Sequence, residues 1–185
     1  MRPVERPVPV DLRCRGIHVD RRALRALIRH CLDQEGLAGG LGCGLVLAGD
    51  RLVRRLNREW RGRDAATDVL SFPMGETDPL PAGQSEPDAL LAGEVVISLR
   101  RCLEQARERA APPGEELARL VIHGVLHVLG HDHQFAPERR RMRARERKYA
   151  EWMQSRISWQ RLLRTEDAAG DAAHDPATRG FAETY

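Results

Sequence analysis

The chain has 185 residues and a mass of 20.8 kDa, enough for one domain with a full hydrophobic core and too short for two comfortable ones. A formal net charge of +3 excludes a strongly acidic or strongly basic protein, and Lys148 is the only lysine among 30 basic residues, so positive surface is nearly all guanidinium. Cys14, Cys31, Cys43 and Cys102 form no C-x-x-C pair and suit a reducing compartment. Met1 to Val10 has no apolar signal core, and no apolar run is long enough for a bilayer, so a soluble, non-secreted, cytoplasmic protein is expected.

In chain order, Val8 to Cys14 alternates as a first strand. Asp20 caps a helix that carries Leu24, Leu27, Ile28 and Cys31 on one face and stops at Gly36. Gly44 to Ala48 reads as a buried strand, and Asp50 as the cap of a helix bearing Leu52, Val53, Leu56 and Trp60. Val69 to Phe72 and Glu94 to Ser98 are further strands; between them Gly75 to Ala89, rich in Pro, Gly and acid, reads as a mobile loop. Ser98 to Ala110 and Glu115 to Gly130 are helices separated by Pro112-Pro113-Gly114, and the second is apolar on nearly every side, hence buried. Pro137 opens a last helix in which Met142, Tyr149, Trp152 and Met153 sit among arginines. The expected fold class is α+β: a single domain over residues 1–164, followed by a disordered acidic tail over 165–185. A small mixed β-sheet of about four strands, flanked by about five helices, would carry a site helix like that of zinc metalloproteases.

That helix holds the most informative string of the chain, His123-Gly124-Val125-Leu126-His127-Val128-Leu129-Gly130-His131-Asp132-His133. His123 and His127 are four residues apart, so both imidazoles project from one helix face, where one cation can be gripped by both. Gly130 lets the chain leave the helix through left-handed geometry and return His133 as a third ligand. Three imidazoles with one open position are the arrangement of catalytic zinc, and a single Zn2+ is expected on His123, His127 and His133. Zinc is preferred to nickel or copper because imidazole suits all three and availability selects. The spacing is that of the metzincin proteases, but their glutamate general base is replaced here by Gly124, which disfavours a peptidase. His131 is expected to point to solvent or substrate, and Asp132 either orients a ligand ring or simply closes the turn.

Two segments together resemble a family. The histidine string resembles the HGxLHxxGxDH signature of the YbeY-type rRNA maturation endoribonucleases, and Leu56 to Pro73 (LNREWRGRDAATDVLSFP) is similar to the same family's LNxxYRxxxxxTDVLSFP block. Gly93 to Ser98 is similar to its GDIxIS strand, and the resemblance covers roughly residues 8 to 155. Trp60 replaces the usual tyrosine and Glu94 the usual aspartate, while the loop from Gly75 to Ala89 and the tail are additions. The resemblance implies a metal-dependent, single-strand-directed endoribonuclease of 16S rRNA 3′-end maturation and ribosome quality control. It implies zinc on His123, His127 and His133, and Arg61 as the functional arginine of the cleft.

Three imidazoles lower the pKa of zinc-bound water to about 7, which supplies a nucleophile or base without a glutamate. His123 and Arg61 are the catalytic candidates, Arg61 forking onto phosphate oxygens. On the residues alone, without the resemblance, Arg61 reads sooner as a helix-end arginine paired with Asp64 or Asp68 on the surface than as a catalytic group. Direct attack on phosphorus and activation of the ribose 2′-hydroxyl both stay open. The expected partners are RNA (the 16S rRNA precursor and the ribosome), with ribosomal proteins or GTPases as further candidates and neither DNA nor membrane. Arg54, Arg55, Arg58 and Arg63 around Arg61 supply positive surface, as does the arginine run after Pro137. The competing reading is a zinc-containing ribosome assembly factor with little nuclease activity of its own.

Overall fold

A computed structural model of the chain describes residues 6–37, 40–74, 91–131 and 135–166. Four strands form a mixed sheet in the order β1-β3-β5-β4, where β1 is Val10–Leu12, β3 Gly42–Ala48, β5 Leu91–Ser98 and β4 Val69–Pro73. β1, β3 and β5 run parallel, and β4 closes one edge antiparallel to β5, with Val69 opposite Ile97 and Pro73 opposite Gly93. The GCGLVLA run of β3 is buried at every position, as expected of a parallel strand covered on both faces.

Strand alternation divides the molecule into two unequal cores. Leu45, Leu47, Val95 and Ile97 face the larger core, packed with residues of α1 (Arg21–Gln34), α3 (Leu99–Glu108), α4 (Pro113–Val128), α5 (Ala136–Gln154) and α6 (Trp159–Leu162). Val46, Ala48, Val96 and Leu70 face the other side, where α2 (Asp50–Arg61) covers them with Val53, Leu52 and Leu56. The α+β class, single domain and small mixed sheet agree with the sequence-based expectation.

Local expectations hold where side-chain chemistry decides them. Asp20 caps α1 by accepting from the Ala23 amide at 2.9 Å, and Ser98 caps α3 by accepting from Arg101. Asp50 does not cap α2: Gly49 is the cap, and the Asp50 carboxylate instead accepts from the Ser98 hydroxyl, tying the starts of α2 and α3 together. The first strand is shorter than predicted, because the chain turns at Gly16 (φ +69°) into β2 (Ile17–Val19). β2 pairs antiparallel with β6 (Leu163–Thr165), a long-range ribbon without a local signal; Thr165 opposite Ile17 is therefore strand, where the tail was expected to begin. The loop from Gly75 to Ala89 and the tail beyond residue 166 lie outside the described residues.

Candidate metal centre

α4 is the element that positions the site. It starts with Pro113, whose missing N–H costs nothing in a first turn, and buries Leu117, Leu120, Val121, Val125 and Leu126 completely. Gly124 lies where α4 crosses the sheet. A Cβ built there would stand 2.4 Å from Val95 Cγ1 and 3.3 Å from Val69 Cγ2, so only glycine permits this approach. The position that holds the glutamate in metzincins thus faces packed valines, and a carboxylate there would be buried against the sheet. Beside it the Ser71 hydroxyl donates to the Gly124 carbonyl at 3.1 Å and pins edge strand β4 to the helix.

With Gly124 turned to the sheet, His123 and His127 sit together on a half-buried flank of α4, ring centroids 4.6 Å apart and the planes at 77°. His123 Nδ1 lies 2.7 Å from the Glu146 carboxylate of α5. An ionised carboxylate only accepts, so Nδ1 carries the proton and Nε2 is the basic nitrogen of that ring. A carboxylate behind a ligand imidazole is the usual way to fix a metal-binding tautomer. This donor chemistry fits an imidazole-preferring cation such as zinc. Among the described residues no group of three His, Cys, Asp or Glu is gathered for a metal, and His133 and Asp132 lie outside them.

The end of α4 is a Schellman motif: the Gly130 amide (φ +84°) donates to the His127 carbonyl and the His131 amide to that of Leu126. Contrary to the expectation that it points to solvent or substrate, His131 turns to α1, and its Nε2 lies 2.8 Å from Glu35 at the C-terminal end of that helix. Glu35 also accepts from Arg145 at 2.9 Å and from the Tyr149 hydroxyl, both on α5. Burial would raise the Glu35 carboxyl, but hydrogen bonds from Tyr149 and His131 and the charge of Arg145 hold it below its ordinary value. Tyr149 is raised by the same burial and by its bond to that carboxylate.

Sequence reasoning missed Glu35 and Glu146. The signal for Glu146 is periodicity, since it falls between Met142 and Tyr149 on the inward stripe of α5, where a carboxylate needs a partner. The buried Glu116 is already held by Arg109 and Arg119 and belongs to the scaffold. Burial pushes the Cys43 and Cys102 thiols up to about 12, which leaves them as small apolar core groups.

Arg61 is on the opposite side of β4. It stands exposed in the last turn of α2, next to Trp60, whose ring meets Phe72 of β4 edge to face at 5.8 Å. Phe72 and Leu70 point to α2, whereas Val69 and Ser71 meet α4, so the helix that ends at Arg61 and the helix that carries the imidazole pair pack on opposite faces of edge strand β4. The carboxylates expected as its surface partners are engaged elsewhere. Asp64 is bidentate with Arg54 at 2.8 and 2.7 Å, and Asp68 accepts from Thr67, Gln105 and the Val69 amide at the start of β4.

Comparison with known proteins agrees with this architecture. The model of the family described as Endoribonuclease YbeY matches residues 11–154. Proteins named Endoribonuclease YbeY from Anaeromyxobacter sp. and Pelotomaculum thermopropionicum are 48% and 46% identical over 57% and 62% of this chain. One from Chloroflexus aurantiacus is 41% identical over 71% of this chain and 85% of its own length. The matched stretch spans about half of the Anaeromyxobacter relative, 51%, and 74% of that from Pelotomaculum. The solution structure of TM1509 from Thermotoga maritima has the same fold, with a TM-score of 0.57 at 24% identity over 94% of this chain and all of that one. Family match, motif order and the crossing of a glycine-bearing histidine helix over the sheet coincide, and the chain belongs to the Endoribonuclease YbeY family.

Proposed function

We propose that this protein is a cytoplasmic, zinc-dependent endoribonuclease that cuts single-stranded RNA in 16S rRNA 3′-end maturation and ribosome quality control. The observation that carries this reading is the His123–His127 pair on a buried helix with Glu146 behind His123, in a chain of the YbeY family. His133, beyond the Schellman turn, would complete the ligand set. Zinc bound there supplies Lewis acidity and brings the pKa of water to about 7, so no glutamate base is required. Glu146 keeps the Nδ1 proton on His123 and the ring in place. Arg61, at the edge of β4, offers two parallel N–H donors to the phosphate oxygens on which charge gathers during cleavage. The family assignment supports an RNA substrate. Among the described residues, no helix is long and apolar enough to cross a membrane.

The test is cleavage of a short structured RNA by purified protein, with and without chelator, beside His127→Ala and Arg61→Ala. Chelator and His127→Ala should both abolish cutting, and His127→Ala should also empty the site by elemental analysis. Arg61→Ala should abolish cutting with zinc content and melting temperature near wild type; an unfolded Arg61→Ala would remove its assigned role. Zinc-loaded protein that leaves RNA intact while binding ribosomal proteins would favour an assembly factor.

A further inference from the structure

On the face of the sheet opposite the histidines, α2 carries Arg51, Arg54, Arg55 and Arg58, all exposed. Their spacing of three and four residues puts them on one stripe, and Arg61 continues it one turn on, over a length of about 15 Å. The inward positions, Val53 and Asn57 with the flanking Leu52 and Leu56, hold no arginine, so the stripe follows the helix period and is not mere compositional excess. Arg13 after β1 and Arg100 and Arg101 at the start of α3 face it across an open groove of about 1100 Å³. Seven arginines line that groove against two carboxylates, Asp50 and Asp64. The arginines of α5 are different: Arg145 turns inward to Glu35, and Arg140, Arg143 and Arg147, although exposed and also at helical spacing, are not among the residues that line this groove.

Register gives the stripe a direction. Its Arg51 end lies near Ala48 and Arg101, where β3 and β5 end. The other end reaches Trp60, against Phe72. Phe72 and Pro73 are level with Val128 of α4, since all three surround Gly93, and Val128 follows His127 directly. Trp60 is 70% exposed, although a ring of that size at a helix end could have been buried beneath the next strand. Guanidinium groups along a groove followed by an open indole are what a single strand requires, phosphates on the first and an unstacked base on the second.

Resting on the endoribonuclease reading, we propose that the arginine stripe of α2, with Arg13, Arg100 and Arg101 facing it and Trp60 at its end, is a track for single-stranded RNA. It delivers the strand around edge β4 to the imidazole pair. The test is fluorescence anisotropy of a short labelled single-stranded RNA with full-length protein in chelator, at several salt concentrations. Arg51→Gln/Arg55→Gln/Arg58→Gln should weaken binding by about tenfold or more at low salt and reduce the slope of log affinity against log salt by about 2. Trp60→Leu should weaken it about tenfold with the slope unchanged. Arg140→Gln/Arg143→Gln/Arg147→Gln on α5 should change neither. If the triple α2 variant unfolds, Arg51→Gln and Arg55→Gln taken singly should each lower the slope by about 0.7. Wild-type binding by the α2 variants, an equal loss from the α5 variant, an unaffected Trp60→Leu, or equal binding of a duplex of the same length would each overturn the track. Cleavage with zinc separates the two readings. A wild-type protein that cuts RNA while the α2 variants bind and cut normally sinks the track alone, whereas stripe-dependent binding without any cutting sinks the nuclease alone.

Discussion

α4 and α2 flank the same four-stranded sheet and place their polar groups in opposite ways. On the α4 side polar groups are held by partners: His123 has Glu146, His131 has Glu35, and Glu35 has Arg145 and Tyr149 as well. These groups are buried or half-buried, where an unpartnered charge would cost several kcal/mol, so the network is rigid by necessity. On the α2 side the arginines stand in water, and even the bidentate Arg54–Asp64 pair is exposed at both ends. One face suits a cation that must be held in a defined geometry, the other a polyanion that can slide. Burial, more than residue type, separates the two.

The comparison can be broken most forcefully at Gly124. Gly124→Glu should cost about 3 kcal/mol or more, or prevent folding, because the new side chain meets Val95 and Val69 with no room to shift. Denaturant unfolding reads this, and a wild-type midpoint would mean that α4 can ride off the sheet. Glu35→Gln should cost about 2 kcal/mol at neutral pH through the loss of charge-assisted bonds from Arg145 and His131. Because the native Glu35 carboxyl is held below its ordinary value, the wild-type advantage is full above about pH 4.3 and disappears as pH falls through the lower native value. A difference between the two proteins that stays constant from neutral to strongly acid pH would contradict this account.

A smaller effect separates orientation from stability. Glu146→Gln should weaken zinc binding about 10- to 100-fold in chelator competition while leaving the apoprotein's melting temperature near wild type. Unchanged zinc affinity would leave Glu146 with only a packing role. The smallest effect is expected on the other face: Asp64→Asn removes the partner of Arg54 but should leave the unfolding midpoint unmoved, since exposed ion pairs contribute little and are screened by salt. A clear loss of stability there would show that the loop after α2 depends on this pair.

Wherever one residue's chemistry dictated the outcome, the element was legible in advance. The Asp20 cap, the exit at Gly130, the buried character of α4 and the spacing of His123 and His127 each follow from a short window of chain. The Asp50 cap was misread because Asp50 finds a better partner in Ser98, 48 positions away. The β2–β6 ribbon joins segments with no turn between them, so no local pattern announces it.

The same division runs through the candidate site. Sequence by itself determined that two imidazoles share one helix face, that the helix ends at a glycine just after them, and that α2 bears arginines at helical spacing, because helix geometry converts spacing directly into direction. Only tertiary structure decided that Glu146 backs His123, that Glu35 captures His131, and that α2 and α4 pack on opposite faces of edge strand β4. Those are contacts between elements far apart in the chain, and they depend on which faces the two cores turn inward.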